Sequence, residues 1–530
     1  MKRIQLFILF LIVSSFAIGQ TTKLDPKATT QKLAATMFYI ENFYVDSTDL
    51  PKLTETAIVS MLKELDPHSA YISKEEIDRA NEPLIGSFEG IGVSFQLLRD
   101  TILIIGVIPD GPSERAGILA GDRIIKIDDE IAFGKKVDNK FVQDRLRGKK
   151  GSKVIVSIKR AKEPELADYT IVRDKIPLHS IDATFMLDKE IGYIKLNRFS
   201  KTTIEEFHES CKKLADFGMK SLVLDLRGNS GGYLNVAFEL SDEFLTKDKL
   251  IVYTEGLKSP RQEFISTNKG NFKEGKLIVL IDEGSASASE IVSGAIQDWD
   301  RGILVGRRSF GKGLVQRPFN LPDGAVIRLT TAEYYTPSGR CIQKPYEEGV
   351  ENYYKDLINR QKKGEFVNAD SIHFPDSLKY FTNAKRIVYG GGGIMPDIFV
   401  PVDTTHFTKY YTDLIRKRVF NDFTVEFANE NRMEIKQKYH KFEDFKKKFE
   451  ITESLKEAFL ARAEKEGVEM NKEQYEKSED FIWLQVKALI ARNIWDSEQY
   501  YHITTDQDPT VIEAIALLRS KKKYATMLKP

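Results

Sequence analysis

The sequence is poor in cysteine, with only Cys211 and Cys341 among 530 residues. Two thiols cannot staple a small secreted fold, and without a CxxC pair or a Cys/His cluster nothing suggests zinc. It also lacks an excess of either charge: Lys+Arg number 79 against Asp+Glu 78, a formal net charge of +1. A dedicated nucleic-acid binder usually carries a basic surplus, so no nucleic-acid partner is expected. Beyond the N-terminus no apolar run approaches the roughly 20 residues a spanning helix needs, which excludes a polytopic membrane protein. The zinc-peptidase motif HExxH is missing, because His208-Glu209 is followed by Ser210-Cys211-Lys212. The phosphate loop GxxxxGK[ST] fails as well, since Gly313 follows Lys312. No metal and no cofactor are expected.

What remains is ordinary globular material, 42% hydrophobic and 30% charged, long enough for two to four domains. Lys2 and Arg3 precede the apolar stretch Leu6 to Val13, and the small residues Ala17 and Gly19 stand before Gln20. That is the layout of a secretory signal peptide over residues 1–19, implying export to the periplasm or cell envelope of a bacterium and a mature chain beginning near Gln20. An uncleaved anchor is the alternative. After cleavage no integral membrane span is left.

Apolar residues recur at helical spacing from Leu33 to Leu65, giving an N-terminal helical region over 20–85. Short strand-like runs punctuated by glycine follow, a small β-rich domain at 86–172. From 173 to 402 strands alternate with helices, which argues a layered α/β core. Within it, residues 345–385 are polar and aperiodic and read as an insertion. Residues 403–530 are charged and helical, a separate region whose surface is compatible with a homo-oligomer contact.

Three turns in the α/β part carry candidate chemistry. In Gly284-Ser285-Ala286-Ser287-Ala288-Ser289-Glu290 a serine opens a helix after an apolar strand. Unpaired N–H groups there can stabilise an oxyanion, although a serine at that position is more often only an N-cap. In Ser309-Phe310-Gly311-Lys312-Gly313 a lysine sits between glycines. If Phe310 and its neighbours desolvate it, the neutral amine can act as a general base. None of the seven histidines lies near this serine in a recognisable partner motif. Asp225-Leu226-Arg227-Gly228-Asn229-Ser230-Gly231-Gly232 is the third, a turn whose glycines can aim N–H groups at one point; alone it is simply a tight turn.

Together these stretches resemble the carboxy-terminal processing proteases, the tail-specific group of serine endopeptidases. Leu65-Asp66-Pro67-His68-Ser69-Ala70-Tyr71, Tyr334 to Arg340 and Gly393 to Asp397 are similar to further motifs of that family. The resemblance runs from about Lys32 to Val402. It implies a ClpP/crotonase-like α/β protease core with an inserted PDZ domain. It also implies Ser287 as nucleophile, Lys312 as general base 312 − 287 = 25 residues on, Gln316 as the residue orienting the lysine, and the N–H groups of Gly232 and Ala288 as oxyanion hole. The sequence departs from the family pattern at the 345–385 insertion and at Cys341. In the β domain, Glu89-Gly90-Ile91-Gly92-Val93, Val107 to Ile118 and Gly121-Asp122-Arg123-Ile124 resemble PDZ. Gly90, Ile91, Gly92 and Val93 would then hold the C-terminus of a protein or peptide substrate. The expected activity is cleavage of proteins presented by free C-termini; the alternative is a catalytically silent PDZ scaffold or adaptor in the envelope.

Overall fold

The computed structural model describes residues 25–529 except 99, 161, 162 and 164; the expected signal peptide lies outside the described residues. No helix among them is long and apolar enough to cross a membrane. The described residues divide into two compact units, one ending at Leu65 and the other beginning at Asp66. In the first, helices Pro26–Phe43 and Leu50–Lys63 each begin with an aspartate cap and a proline in the first turn. Asp25 accepts from the N–H of Lys27 and Asp49 from that of Lys52, and proline suits this position because its missing N–H would be unpaired anyway.

The second unit contains a β-rich domain and a layered core. The β domain is an antiparallel sheet in the order Val93–Leu98, Thr101–Val107, Arg123–Ile127, Lys153–Lys159, Ala167–Val172. Alternation decides what each strand faces. Ile102 and Ile104 point into the domain's own core with Ile124, Val142 and Val156. Leu103, between them, points the other way and packs with Leu98 and Val425. The segments that lead into and out of the domain, Ser87–Gly90 and Asp174–Pro177, pair antiparallel.

The core is built on a six-stranded sheet ordered Ile181–Met186, Ile191–Leu196, Ser221–Asp225, Lys276–Ile281, Ile303–Gly306, Ile398–Phe399. The first pair is antiparallel and the rest are parallel. Its strands are apolar on both faces, as a sheet covered on both sides requires. Leu222, Leu224, Val279 and Ile281 pack beneath Leu240, Val292 and Ile296. On the opposite face Val223, Ile278, Leu280 and Val305 meet Val511, Ala514, Leu517 and Leu518 from the far C-terminus. A second sheet joins the hairpin Leu314–Asn320/Val326–Tyr335 to Leu250–Gly256, Ser259–Ile265 and Ala70–Ile72.

Two segments differ from the sequence reading. Ala70–Ile72, within the region expected to be helical, is a strand paired with Val326–Arg328. The 345–385 stretch holds a helix, Val350–Lys362, in which only Tyr353 and Arg360 are buried. Two buried positions seven residues apart leave no apolar periodicity to detect. The C-terminal helices share a core of their own, from Tyr410 to Ile503, and also reach both the β domain and the core sheet. Helix Pro509–Arg519 covers the core sheet, and its N-cap Asp508 pairs with Arg227 at 2.8 Å. Helix Val419–Lys438 lies on the β domain, where Gln96 donates to Asp422 at 2.5 Å and Val425 fills the gap between Leu98 and Leu103.

This last contact is testable. Val425 is 3% exposed, so Val425→Asp would place an unpaired carboxylate among leucines, expected to cost about 3 kcal/mol. Hydrogen exchange should then quicken across both Thr101–Val107 and Val419–Lys438; quickening in the helix alone would mean that it does not brace the β domain.

Candidate active site

Ser287 links strand Lys276–Ile281 to helix Ala288–Asp298, and its backbone is strained, with φ 55° and ψ −113°. A non-glycine residue in such a sparsely populated region costs about 1–3 kcal/mol and persists only where its surroundings enforce it. Here they are explicit. The Ser287 N–H donates to Glu290 Oε2 at 2.8 Å, and Tyr334 Oη donates to the Ser287 carbonyl at 3.1 Å. Ala286 N–H and Ser289 Oγ both donate to the carbonyl of Asn229, at 3.0 and 2.8 Å. Asn229, fully buried, donates to the Leu196 carbonyl and accepts from Gly231 N–H.

The two turns therefore lie against each other, and glycine is what lets them. A Cβ on Gly231 would stand 2.9 Å from Ser287 Cβ, and one on Gly232 would fall 2.1 Å from the Phe199 carbonyl oxygen. Among the described residues the N–H groups of Gly232 and Ala288 donate to no protein acceptor. Behind this turn Asp225 is buried with Tyr193, Lys195 and Arg227 on its carboxylate. Burial alone would push that carboxyl up; Arg227 and Lys195 outweigh it and hold it well below the usual range.

Glu290 joins the serine turn to the lysine loop. Its Oε2 accepts from Ser287 N–H and from Lys312 N–H at 2.9 Å; its Oε1 accepts from Gly311 N–H at 2.7 Å and Ser309 Oγ at 2.5 Å. Complete burial pushes this carboxyl up to about 7, against the pull of its four donors. The Ser-x-x-Glu spacing of a capping box is the signal that could have marked Glu290 as structural.

The Lys312 amine makes no hydrogen bond or ion pair among the described residues. Burial lowers its pKa from the ordinary 10.5; Glu290 and Asp66 oppose the shift and Arg328 adds to it. Phe310, expected to desolvate this amine, packs edge to face with Tyr353 and carries Lys344 over its ring at 4.0 Å. Gln316 shares the cleft with Lys312, but its amide donates to Thr330 Oγ1 at 3.2 Å rather than bonding the lysine. Thr330 Oγ1 donates in turn to the buried Asp66. A histidine does approach the lysine: His68, 2.8 Å from Tyr353 Oη, is lowered to about 4 by burial and by Lys312. No spacing signal links residues 68 and 312, so sequence alone could not pair them. Ser287, Lys312, Gln316 and Gly232 all line one cleft of about 850 Å³. No three His, Cys, Asp or Glu side chains among the described residues converge to hold a metal.

In the β domain, the Gly90–Val93 loop is held by its carbonyls. Ile91 C=O accepts from Ser113 N–H and Oγ, and Gly92 C=O from Ile108 N–H. The N–H groups of Ile91 and Gly92 have no acceptor among the described residues. Gly92 sits at φ 74°, and Val93–Leu98 is an edge strand.

Comparison with known proteins accords with this layout. The profile of peptidase family S41 matches residues 190–355 and a PDZ domain matches 90–171. A carboxy-terminal-processing protease of Bartonella bacilliformis is 37% identical over 343 residues, 63% of this chain and 78% of that one. The chain belongs to the carboxy-terminal processing proteases, which are serine peptidases. The carboxy-terminal processing protease CtpA of Bacillus subtilis is 33% identical, covering 69% of this chain and 77% of that protease. A solved photosystem II D1 C-terminal processing protease covers 71% of this chain and 87% of its own at 23% identity, with a TM-score of 0.38. In this S41 protease residues 410–496 also match a family of unknown function, DUF8443, the stretch that contains the helix on the PDZ sheet.

Glu290→Gln tests the junction. A carboxamide cannot accept four bonds, so donors around it lose partners at about 1–3 kcal/mol each, and the denaturation midpoint should fall. The sign with pH is fixed too. A carboxyl raised from 4.5 to about 7 on folding stabilises below pH 4.5 and loses that contribution as pH rises to about 7. The gap between wild type and Glu290→Gln should narrow over that window; a constant gap would show that Glu290 does not titrate there.

Proposed function

We propose that this protease is an exported endopeptidase that captures substrates by their C-terminal tails and cleaves them with a Ser287–Lys312 dyad. The observation that carries the reading is the shared Glu290 oxygen. It fixes the backbone of a strained serine and that of a desolvated lysine at the same time, on one cleft. Ser287 Oγ attacks the scissile carbonyl while the neutral Lys312 amine takes its proton. The developing oxyanion is received by the N–H groups of Gly232 and Ala288, which have no acceptor to give up among the described residues. The lysine then protonates the leaving amine, and water, deprotonated by the same amine, releases the acyl group from Ser287. Gln316 is assigned a positioning role, exchanging its bond to Thr330 for one to the lysine amine. The PDZ loop receives the terminal carboxylate on the N–H groups of Ile91 and Gly92, and the peptide extends the sheet along Val93–Leu98.

Lys312 carries the test. Lys312→Arg should fold yet be inactive, because a guanidinium stays protonated; Ser287→Ala should be inactive while still binding tail peptides. In the wild type, kcat/KM should rise with pH through the lowered lysine pKa, reaching its plateau below the ordinary 10.5. Near wild-type cleavage by Lys312→Arg would assign the base elsewhere.

Tail capture is measured separately. Amidating the C-terminus of a bound peptide removes a charge-assisted anchor, and affinity should drop by about 1.5–3 kcal/mol. Equal binding of acid and amide forms would remove the PDZ loop from substrate selection.

A further inference from the structure

The cleft beside Ser287 has an unbalanced charge. Its lining includes Arg198, Arg328 and Lys312 and not one aspartate or glutamate among the described residues. Lysine and arginine elsewhere in this protein are commonly ion-paired with carboxylates; neither of these two guanidiniums is ion-paired with a described residue, and the carboxylate on which Arg198 acts, Asp182, is not part of the lining. Arg328, on the hairpin strand Val326–Tyr335, donates to the Ala80 carbonyl and to Asn81 Oδ1 at 3.3 and 3.0 Å, both neutral acceptors. Arg198, after strand Ile191–Leu196, donates to Asn197 Oδ1 at 2.8 Å. Neither forms an ion pair with any described residue. Both are half-buried, where a low-dielectric wall concentrates their field into the cleft.

The nearby carboxylates are already committed, Asp182 beside Arg198 to the Asn197 amide and the Tyr501 hydroxyl. Glu290 is fully buried with four donors, and Asp66 is held by Ser69, His68 and Thr330. Glu82, next to Asn81, pairs with Arg147. Lys312 must be neutral to act as base, so its charge leaves the cleft in the reactive state. The guanidiniums cannot leave, because arginine does not deprotonate in proteins. The cleft thus keeps two fixed positive charges facing whatever peptide lies across Ser287.

From this we propose that the protease selects substrates with acidic side chains flanking the scissile bond, read by Arg198 and Arg328. This rests on the cleft being the site of cleavage. It adds to tail capture a second filter, applied where the chain is cut and independent of the terminal carboxylate. The same field serves the base: Arg328 helps to keep Lys312 uncharged.

The test uses the full chain and two peptides with an identical tail. One carries glutamates within three positions on either side of the scissile bond, the other glutamines. The glutamate peptide should show the higher kcat/KM, by about fivefold for each guanidinium engaged, and the advantage should shrink with added salt. Arg328→Gln and Arg198→Gln should each narrow the ratio, and Arg328→Lys should restore part of it. A change acting only through the Lys312 pKa would move both peptides by one factor and leave the ratio intact, which would overturn the proposal. So would equal, salt-independent cleavage of the two peptides by the wild type. Cleavage of neither would instead bring down the dyad reading beneath it.

Discussion

A carboxylate with both oxygens saturated is a rigid object, and Glu290 uses that rigidity across two loops. Each of its oxygens receives two donors, so moving either loop leaves a buried donor without a partner. The strain at Ser287 is held by the same bonds. Removing water from this carboxyl is costly, and the cost is offset only while all four donors stay in place. The close approach of Gly231 to Ser287 follows from the same constraint: once the serine turn is fixed, no side chain fits opposite it.

The scaffold around that junction is stiffened by two parts of the C-terminal region. The far C-terminus covers the second face of the parallel sheet, whose exposed apolar strands would otherwise be an aggregation surface. Arg227 links the turn that carries Gly232 to helix Pro509–Arg519 through Asp508. Earlier in the same C-terminal region, Val425 and Asp422 hold the PDZ sheet by the face away from its own core. One region of sequence thus touches both the PDZ sheet and the core sheet.

Electrostatics divide the site into a back and a front. Behind the two loops lie carboxylates with their charges satisfied: Asp225 by cations, Asp66 and Glu290 by neutral donors. In front lies a cleft whose guanidiniums hydrogen-bond only to neutral oxygens. An amine placed between the two is depressed by burial and by the front, and pulled back up by the carboxylates behind. Its protonation is therefore set by position more than by any single contact.

Sequence by itself determined the elements whose signals are local. The strand–helix alternation of the core, the glycine-punctuated β domain, and the motif stretches around Ser287, Lys312 and Gly232 could be read because a few adjacent residues carry them. Period-2 and period-3.6 patterns need only neighbours. What tertiary structure alone decided are meetings between distant residues. Residues 66, 68, 290, 312 and 353 converge, although no spacing rule relates them. The helix Val350–Lys362 carries no sequence signature because it buries just two side chains, and strand Ala70–Ile72 carries none because three residues have no period. The docking of the C-terminal helices was hidden for another reason: charged helices show which face is apolar, but not which sheet that face will cover. The turn of Gln316 toward Thr330 and of Phe310 toward Tyr353 depends on what fills the space beside them, and only the packed fold supplies it.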